Sequence, residues 1–178
     1  HGDLAQVLDG IAAAREAGLA VKINMVVLKG LNEEHVGDML DWCGREGHDL
    51  SLIETMPLGA IDEDRTDRFL PLTAVKERLD ARFDLARDAA QTGGPARYWR
   101  VDGGATRLGL ISPLTQNFCD GCNRVRLTTE GRLYTCLGHD DHVDLKDALR
   151  TGGLAAVDAE LDAALPRKPA AHDFRIEA

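Results

Sequence analysis

The apolar positions of the first eighty residues fall into alternating helical and strand-like runs. Leu4, Val7, Leu8 and Ile11 recur at the spacing that lines one side of a helix, with Asp3 placed to cap it and Gly18 to stop it. Residues 19–28 are nearly all apolar, which predicts a parallel strand covered on both faces. Lys22 and Asn24 interrupt that run and share a face by the period of two. After a turn at Gly30, Asn32 with Glu33 and Glu34 predicts a capped helix start with an acidic first turn. Val36, Met39, Leu40 and Cys43 supply that helix's buried stripe, and Gly44 and Gly47 close it. Residues 50–56 read as a second strand ended by Pro57, with Glu54 and Met56 on one face. Residues 58–70 form a charged loop, and Leu72, Val75, Leu79 and Phe83 predict a third helix. Helix, strand, helix, strand, helix is the order of right-handed parallel β/α units.

The style changes near Asp84. Residues 89–96 (AAQTGGPA) read as a linker, dividing the chain into residues 1–88 and 89–178. Residues 97–101 and 105–112 look like a hairpin turning at Asp102, Gly103 and Gly104. A loop over residues 113–118 leads to a second hairpin whose register can be argued. A two-residue turn at Glu130 and Gly131 would put Arg124 and Arg126 on the side away from Cys136. A three-residue turn, Thr129 to Gly131 with Gly131 left-handed, pairs Arg124 with Cys136 and Arg126 with Tyr134 on one polar face. It leaves Val125, Leu127, Leu133 and Leu137 on the apolar parity, so this register is predicted. Two short helices broken at Gly152 and Gly153 follow, and the polar stretch past Pro166 is expected to fray.

Composition narrows the function classes. A chain of 178 residues holds one domain or one and a half, large enough to bury a core. The net charge of −9 argues against general nucleic-acid binding while leaving room for a local basic pocket. No apolar run approaches the roughly 20 residues of a membrane span. Nothing resembles a secreted disulfide framework, so the expected location is cytoplasmic and the thiols free. The chain starts at His1 without methionine, and a piece of a longer protein is expected.

Candidate chemistry concentrates in residues 119–136. Cys119, Cys122 and Cys136 stand in a C-x2-C-x13-C spacing, with Arg124 and Arg126 between them. Thiolates so spaced collect zinc or iron–sulfur clusters. A structural zinc wants four protein ligands, and His139, or less readily His142, could complete a Cys3His set. A cubane cluster held by three cysteines leaves one iron open, and arginine forks beside it suit an anionic ligand. Lys22 in mid-strand must either line a polar lumen, meet an anion or find an ion-pair partner, for which Glu54 is the nearest candidate. Cys43, beside Trp42 in an apolar helical pattern, reads as core. His1, His35, His48 and His172 read as surface or core residues rather than catalysts.

The run Asn117-Phe-Cys119-Asp-Gly-Cys122-Asn-Arg124-Val-Arg126-Leu-Thr, followed by Gly131-Arg-Leu-Tyr-Thr-Cys136-Leu, closely resembles the second-cluster signature of the GTP 3′,8-cyclases. These are radical S-adenosylmethionine enzymes that begin molybdenum cofactor (molybdopterin) biosynthesis. Residues 21–30 (VKINMVVLKG) and 53–59 (IETMPLG) look like that family's last barrel strands. The resemblance implies an α/β fold: the C-terminal part of an incomplete β/α (TIM-like) barrel, then an α+β cap domain with a second [4Fe-4S] cluster. It implies that Cys119, Cys122 and Cys136 hold that cluster, whose open iron binds the guanine of GTP. Arg124, Arg126 and Lys22 would contact the nucleotide, and Met56 matches a position that touches S-adenosylmethionine. In the family a first [4Fe-4S] cluster cleaves S-adenosylmethionine, and the resulting radical takes hydrogen from the ribose C3′, which then joins guanine C8. The product implied is (8S)-3′,8-cyclo-7,8-dihydroguanosine 5′-triphosphate, and the intact enzyme is expected to be a homodimer.

This sequence departs from the family pattern in three places. The radical-generating C-x3-C-x2-C motif is absent from the 178 residues, so no catalytic residue is assigned and this chain alone is expected to be inactive. The family's Gly-Gly tail does not follow Ala178. Ser51 stands where the family often carries an arginine, which removes one expected anion contact. Two other readings therefore stand beside the cyclase: a structural zinc domain, and a non-catalytic nucleotide-binding paralogue. A barrel cut before residues 19–28 would leave an open strand edge, predicting self-association.

Overall fold

The computed structural model describes residues 2–56, 66–90 and 92–174. Asp3 caps α1 (Leu4–Glu16), its carboxylate accepting from the amides of Ala5 and Gln6. Gly18 ends it with φ 74°. The expected apolar stripe is there, yet α1 buries no residue, and Leu4 is 71% exposed.

β1 (Lys22–Val27) and β2 (Asp49–Glu54) pair in parallel through α2 (Val36–Glu46), the β/α unit expected. β1 is shorter than the apolar run and is not covered on both faces. Lys22, Asn24 and Val26 are exposed, and only Val27 is wholly buried. Asn32 does not cap α2, which begins after a 3-10 turn. Its amide oxygen instead accepts from the Leu28 amide at 2.8 Å and its amide nitrogen donates to the Val26 carbonyl at 2.9 Å, closing the turn after β1. Gly47, in the left-handed region, is the C-cap of α2. Pro57, residues 58–65 of the predicted loop and His1 lie outside the described residues.

α3 (Leu72–Asp80) leads to β3 (Leu85–Asp88), β4 (Arg97–Val101) and β5 (Arg107–Ile111). The β4–β5 hairpin turns at Asp102 and Gly103, both with positive φ. Asp102 tolerates this because its side chain accepts from the Asp84 amide at 2.7 Å. β5 lies parallel beside β2, giving a mixed sheet of order β1-β2-β5-β4-β3 with β1 at one edge. The protein is thus mixed α/β. The hairpin beyond residue 88 shares the sheet of β1 and β2, and the chain divides into two compact units between Asn117 and Phe118.

One face of this sheet packs on α2 and α3. Val36, Leu40 and Cys43 meet Leu50, Leu52, Leu108 and Leu110, with Leu72, Val75, Leu79 and Phe83 completing the core. Cys43 is wholly buried; burial, then the charge of Asp49, pushes its thiol up to about 11. It is core, as its sequence setting predicts.

In the second unit, β6 (Arg126–Leu127), β7 (Arg132–Tyr134) and β8 (His142–Asp144) form an antiparallel sheet. The register is the one predicted: Arg126 opposite Tyr134 and Leu127 opposite Leu133, with Gly131 at φ 83°. α4 (Leu145–Ala164) follows, capped by Asp144 and interrupted at Gly153, whose φ 67° and ψ −160° break the helical path. It packs on Leu133 and Val143 through Leu161 and Ala164. Val125, Leu127 and Leu137 share the apolar parity but are 42–64% exposed, so α4 shields only the centre of this face. Of the stretch past Pro166, expected to fray, the structure describes residues up to 174. Residues 168–174 return onto the rest of the unit, with His172 and Phe174 occupying the space where Gly138 has no side chain.

Candidate functional site

Two polar surfaces carry the expected chemistry, one in each unit. In the second unit, the amide of Cys122 donates to the carbonyl of Cys119 at 3.0 Å, closing a single 3-10 turn over Cys119–Gly121. The C-x2-C pair therefore sits on one tight loop. Cys136 lies two residues past β7, and all three thiols are free and half-buried. Arg124 lies over the Phe118 ring, 4.7 Å from its centroid, and donates to the Cys122 sulfur at 3.6 Å. Burial pushes the Cys122 thiol up. The backbone and side-chain hydrogen bonds of Arg124, with the charges of Arg124 and Lys168, outweigh it and hold the thiol below its ordinary range. A lowered value favours the thiolate, the form of cysteine that binds metals.

By the strand register Arg126 stands beside Tyr134, and Tyr134 beside His142, whose rings stack at 4.9 Å. The Arg126 side chain is exposed and makes no hydrogen bond or ion pair among the described residues. It is a fork with unused donors on the parity where Arg124 and Cys136 were predicted.

The donor set suits an iron–sulfur cluster by its chemistry: three free thiols in one unit, one of them lowered toward thiolate with the Arg124 guanidinium beside it. Among the described residues, however, no three or more His, Cys, Asp or Glu side chains are gathered into a ready metal cage. That applies equally to the Cys3His alternative. His139 turns its Nε2 to the Ala171 carbonyl at 3.1 Å, and His142 turns its Nδ1 to the Asp140 carbonyl at 2.9 Å.

The other surface is the face of the larger sheet opposite its core. The register sets Lys22 and Asn24 beside Asp49 and Ser51, then Arg107 and Gly109, then Tyr98 and Arg100. The expected pairing of Lys22 with Glu54 does not form, because β2 points Glu54 into the helix-covered side. There the buried Glu54 carboxylate accepts from the amides of Leu72 at 3.1 Å, Leu114 at 3.1 Å and Thr115 at 3.2 Å, and from the Thr115 hydroxyl. It ties the start of α3 to the loop after β5.

Lys22 instead donates to the Tyr98 hydroxyl at 3.0 Å. Tyr98 can lie there because Gly109 has no side chain. A Cβ on Gly109 would come within 2.9 Å of both the Tyr98 ring and the Ser51 hydroxyl. Burial raises the Tyr98 phenol, but its hydrogen bonds with Thr92 and Lys22 and the charges of Lys22 and Arg107 hold it below the ordinary tyrosine range. Ser51, wholly buried, has a hydroxyl without a hydrogen-bond partner among the described residues. A long side chain at 51 would compete with the Tyr98 ring for the same ground. Arg107 is bound to Asp49 by its Nε at 3.0 Å and its Nη2 at 2.6 Å. Met56 is half-buried, two residues beyond β2.

The sequence reading did not single out Tyr98, Gly109 or Lys168, which donates to the carbonyls of Arg124 and Thr135. The strand alternation around Lys22 could have pointed to a partner on a neighbouring strand. A lone lysine in a polar tail carries no comparable signal.

Comparison with known proteins adds a frame to this geometry. Residues 48–174 match the family model described as Molybdenum Cofactor Synthesis C. A GTP 3′,8-cyclase of Erythrobacter litoralis (strain HTCC2594) is 55% identical over 174 residues, 97% of this chain and 52% of the relative. One from Rhizobium meliloti (strain 1021) is 53% identical over 177 residues, 99% of this chain and 51% of the relative. A third, from Rhodopseudomonas palustris (strain TIE-1), is 51% identical over 177 residues, 99% of this chain and 52% of the relative. The chain spans about half the length of the curated relatives it matches.

Proposed function

The chain belongs to the Molybdenum Cofactor Synthesis C family, and from that premise we propose that it is the C-terminal, GTP-binding part of a GTP 3′,8-cyclase. The observation that carries this reading is the thiol loop. Three free half-buried cysteines share one unit, and Arg124 reaches a cysteine sulfur while Arg126 keeps its donors unused. The relatives' names supply the substrate, GTP.

Cys119, Cys122 and Cys136 would hold a [4Fe-4S] cluster. Bound there, the cluster would supply an open iron to anchor the guanine ring. Arg124 and Arg126 would engage the nucleotide as charge-assisted forks. Lys22 would be a nucleotide contact on the polar sheet face, and Met56 would touch S-adenosylmethionine. The five-stranded sheet would be the closing portion of a β/α barrel. A tightly positioned substrate matters here because a misplaced radical attacks whatever is nearest. The 178 residues hold no C-x3-C-x2-C motif, so conversion of GTP to the 3′,8-cyclo product would need the S-adenosylmethionine-cleaving cluster to be supplied elsewhere. We place the protein in the cytoplasm, as a homodimer when intact, with the open edge of β1 promoting self-association of this chain alone.

Anaerobic loading with iron and sulfide tests the reading. The expected product is brown, with about four irons per chain and no stoichiometric zinc. Adding GTP should change the cluster's electron paramagnetic resonance spectrum, and Cys136→Ser should abolish iron uptake. A colourless protein with one tightly bound zinc overturns the proposal in favour of the structural zinc domain. A loaded cluster indifferent to GTP leaves a cluster-bearing protein with another ligand.

A further inference from the structure

β6 and β7 part company where the thiols begin. The paired residues are Arg126 with Tyr134 and Leu127 with Leu133. Beyond them, a lysine from the far end of the chain spans the two arms. Lys168 donates through Nζ to the carbonyl of Arg124 at 2.9 Å and to the carbonyl of Thr135. Arg124 lies two residues after Cys122, and Thr135 immediately precedes Cys136. An ammonium has three donors and no acceptor, so two donors are used on these backbones and one is left.

The lysine is fixed from both sides. Its own amide donates to the Leu165 carbonyl at 3.1 Å, closing the turn over Leu165–Arg167. Three residues onward, Ala171 meets His139 at 3.1 Å. Gly138 lets the chain return close by, since a Cβ there would stand 2.8 Å from the His172 Cβ and 3.2 Å from the Phe174 ring. The segment is thus fastened to the residues after Cys136 while its ammonium spans to the arm of Cys122.

We propose that Lys168 is a positioning residue for the thiol-bound metal centre: it sets the spacing of the two cysteine-bearing arms and keeps a fixed positive charge between them. The inference rests on the reading of Cys119, Cys122 and Cys136 as cluster ligands. Groups that orient ligands and bias their electronics commonly matter nearly as much to a metal site as the ligands do. A cation beside a thiolate-bound cluster favours its more negative, reduced form and so raises its reduction potential.

The test loads the full chain anaerobically with ferrous iron and sulfide in the presence of a competing chelator. Lys168→Met, which keeps the stem and loses the charge and donors, should hold iron roughly tenfold or more weakly. The midpoint potential of whatever cluster it retains should move to a more negative value. Lys168→Arg, with charge and two donors restored, should recover most of both. Lys168→Gln, which keeps a donor without the charge, should retain iron better than the Met variant yet show the lowered midpoint; it also serves if the Met variant fails to fold. A purely structural lysine would change folding stability and leave the midpoint alone. If the Met or Gln variant loads and reduces as the unmodified chain does, the proposal is overturned. An unmodified chain that takes up no iron sinks the cluster reading itself, and this inference with it.

Discussion

The two units of this protein are held together by different means. In the first, fourteen buried apolar residues among those described form one core between the sheet and its helices, while in the second the described core is Leu133, Val143 and Ala164. What the second unit lacks in apolar burial it replaces with polar fastenings: the Asp144 cap, the Lys168 bridge and the returning segment over Gly138. A fully buried leucine contributes about 1.5–3 kcal/mol, and a net hydrogen bond only about 1 kcal/mol. The first unit should therefore fold on burial alone. If its three half-buried thiols hold a metal as proposed, the second unit should draw much of its stability from that metal.

The largest effect that sharpens this contrast is Leu52→Ala. Leu52 is wholly buried at the centre of the first core, and its loss should cost about 3–5 kcal/mol in denaturant unfolding. Iron uptake by the second unit should survive mild conditions. Leu133→Ala in the second unit should cost less, about 2 kcal/mol in the metal-free chain, because a thin core collapses around the gap more readily. Loading with iron and sulfide should restore most of that loss, and equal damage with and without metal would break the comparison. Next comes Tyr98→Phe, which takes from Lys22 its hydroxyl partner and should cost about 1 kcal/mol of stability. The same phenol should titrate below the usual tyrosine range in a spectrophotometric pH series, and Lys22→Met should raise it.

The smallest expected effect is that of pH on the Asp144 cap. The Asp147 amide, partly opposed by desolvation and aided by the charges of Lys146 and Arg132, holds this exposed carboxylate below its ordinary value. Its folded-state value is depressed, so its contribution is present above the ordinary carboxylate range and is lost as pH falls through the lowered value. Asp144→Asn should flatten that acidic decline in the melting of α4 while leaving the first unit's unfolding unchanged.

What could be read from the sequence follows the range of the forces involved. α1, α2, α3 and the β4–β5 hairpin were legible because periodicity and turn chemistry are local. So was the β6–β7 register, where one glycine and the parity of two arginines left a single well-segregated pairing. β3 and β8 escaped notice because strands of three or four half-polar residues carry no period. Partner choice was the weakest link. Glu54 and Lys22 were paired on charge, but alternation along neighbouring strands sends Glu54 into the core and Lys22 to the polar face. Asn32 was read as a helix cap, whereas two backbone groups of the preceding strand end were nearer claimants. The cysteine spacing is local and predicts a metal site, but the lysine that bridges the backbones of Arg124 and Thr135 comes from more than thirty residues away.

α1 offers a last lesson in how little a well-formed helix needs, and what it forfeits. Its thirteen residues have a good cap, but they bury nothing, and the Arg15–Glu46 ion pair joins two half-exposed side chains. Such a pair adds little, and a lone helix of this length is marginal in water. In deuterated solvent its amides should surrender their protons long before those of β2. The first event on warming would then be the unwinding of this one segment, with the sheet beside it still intact.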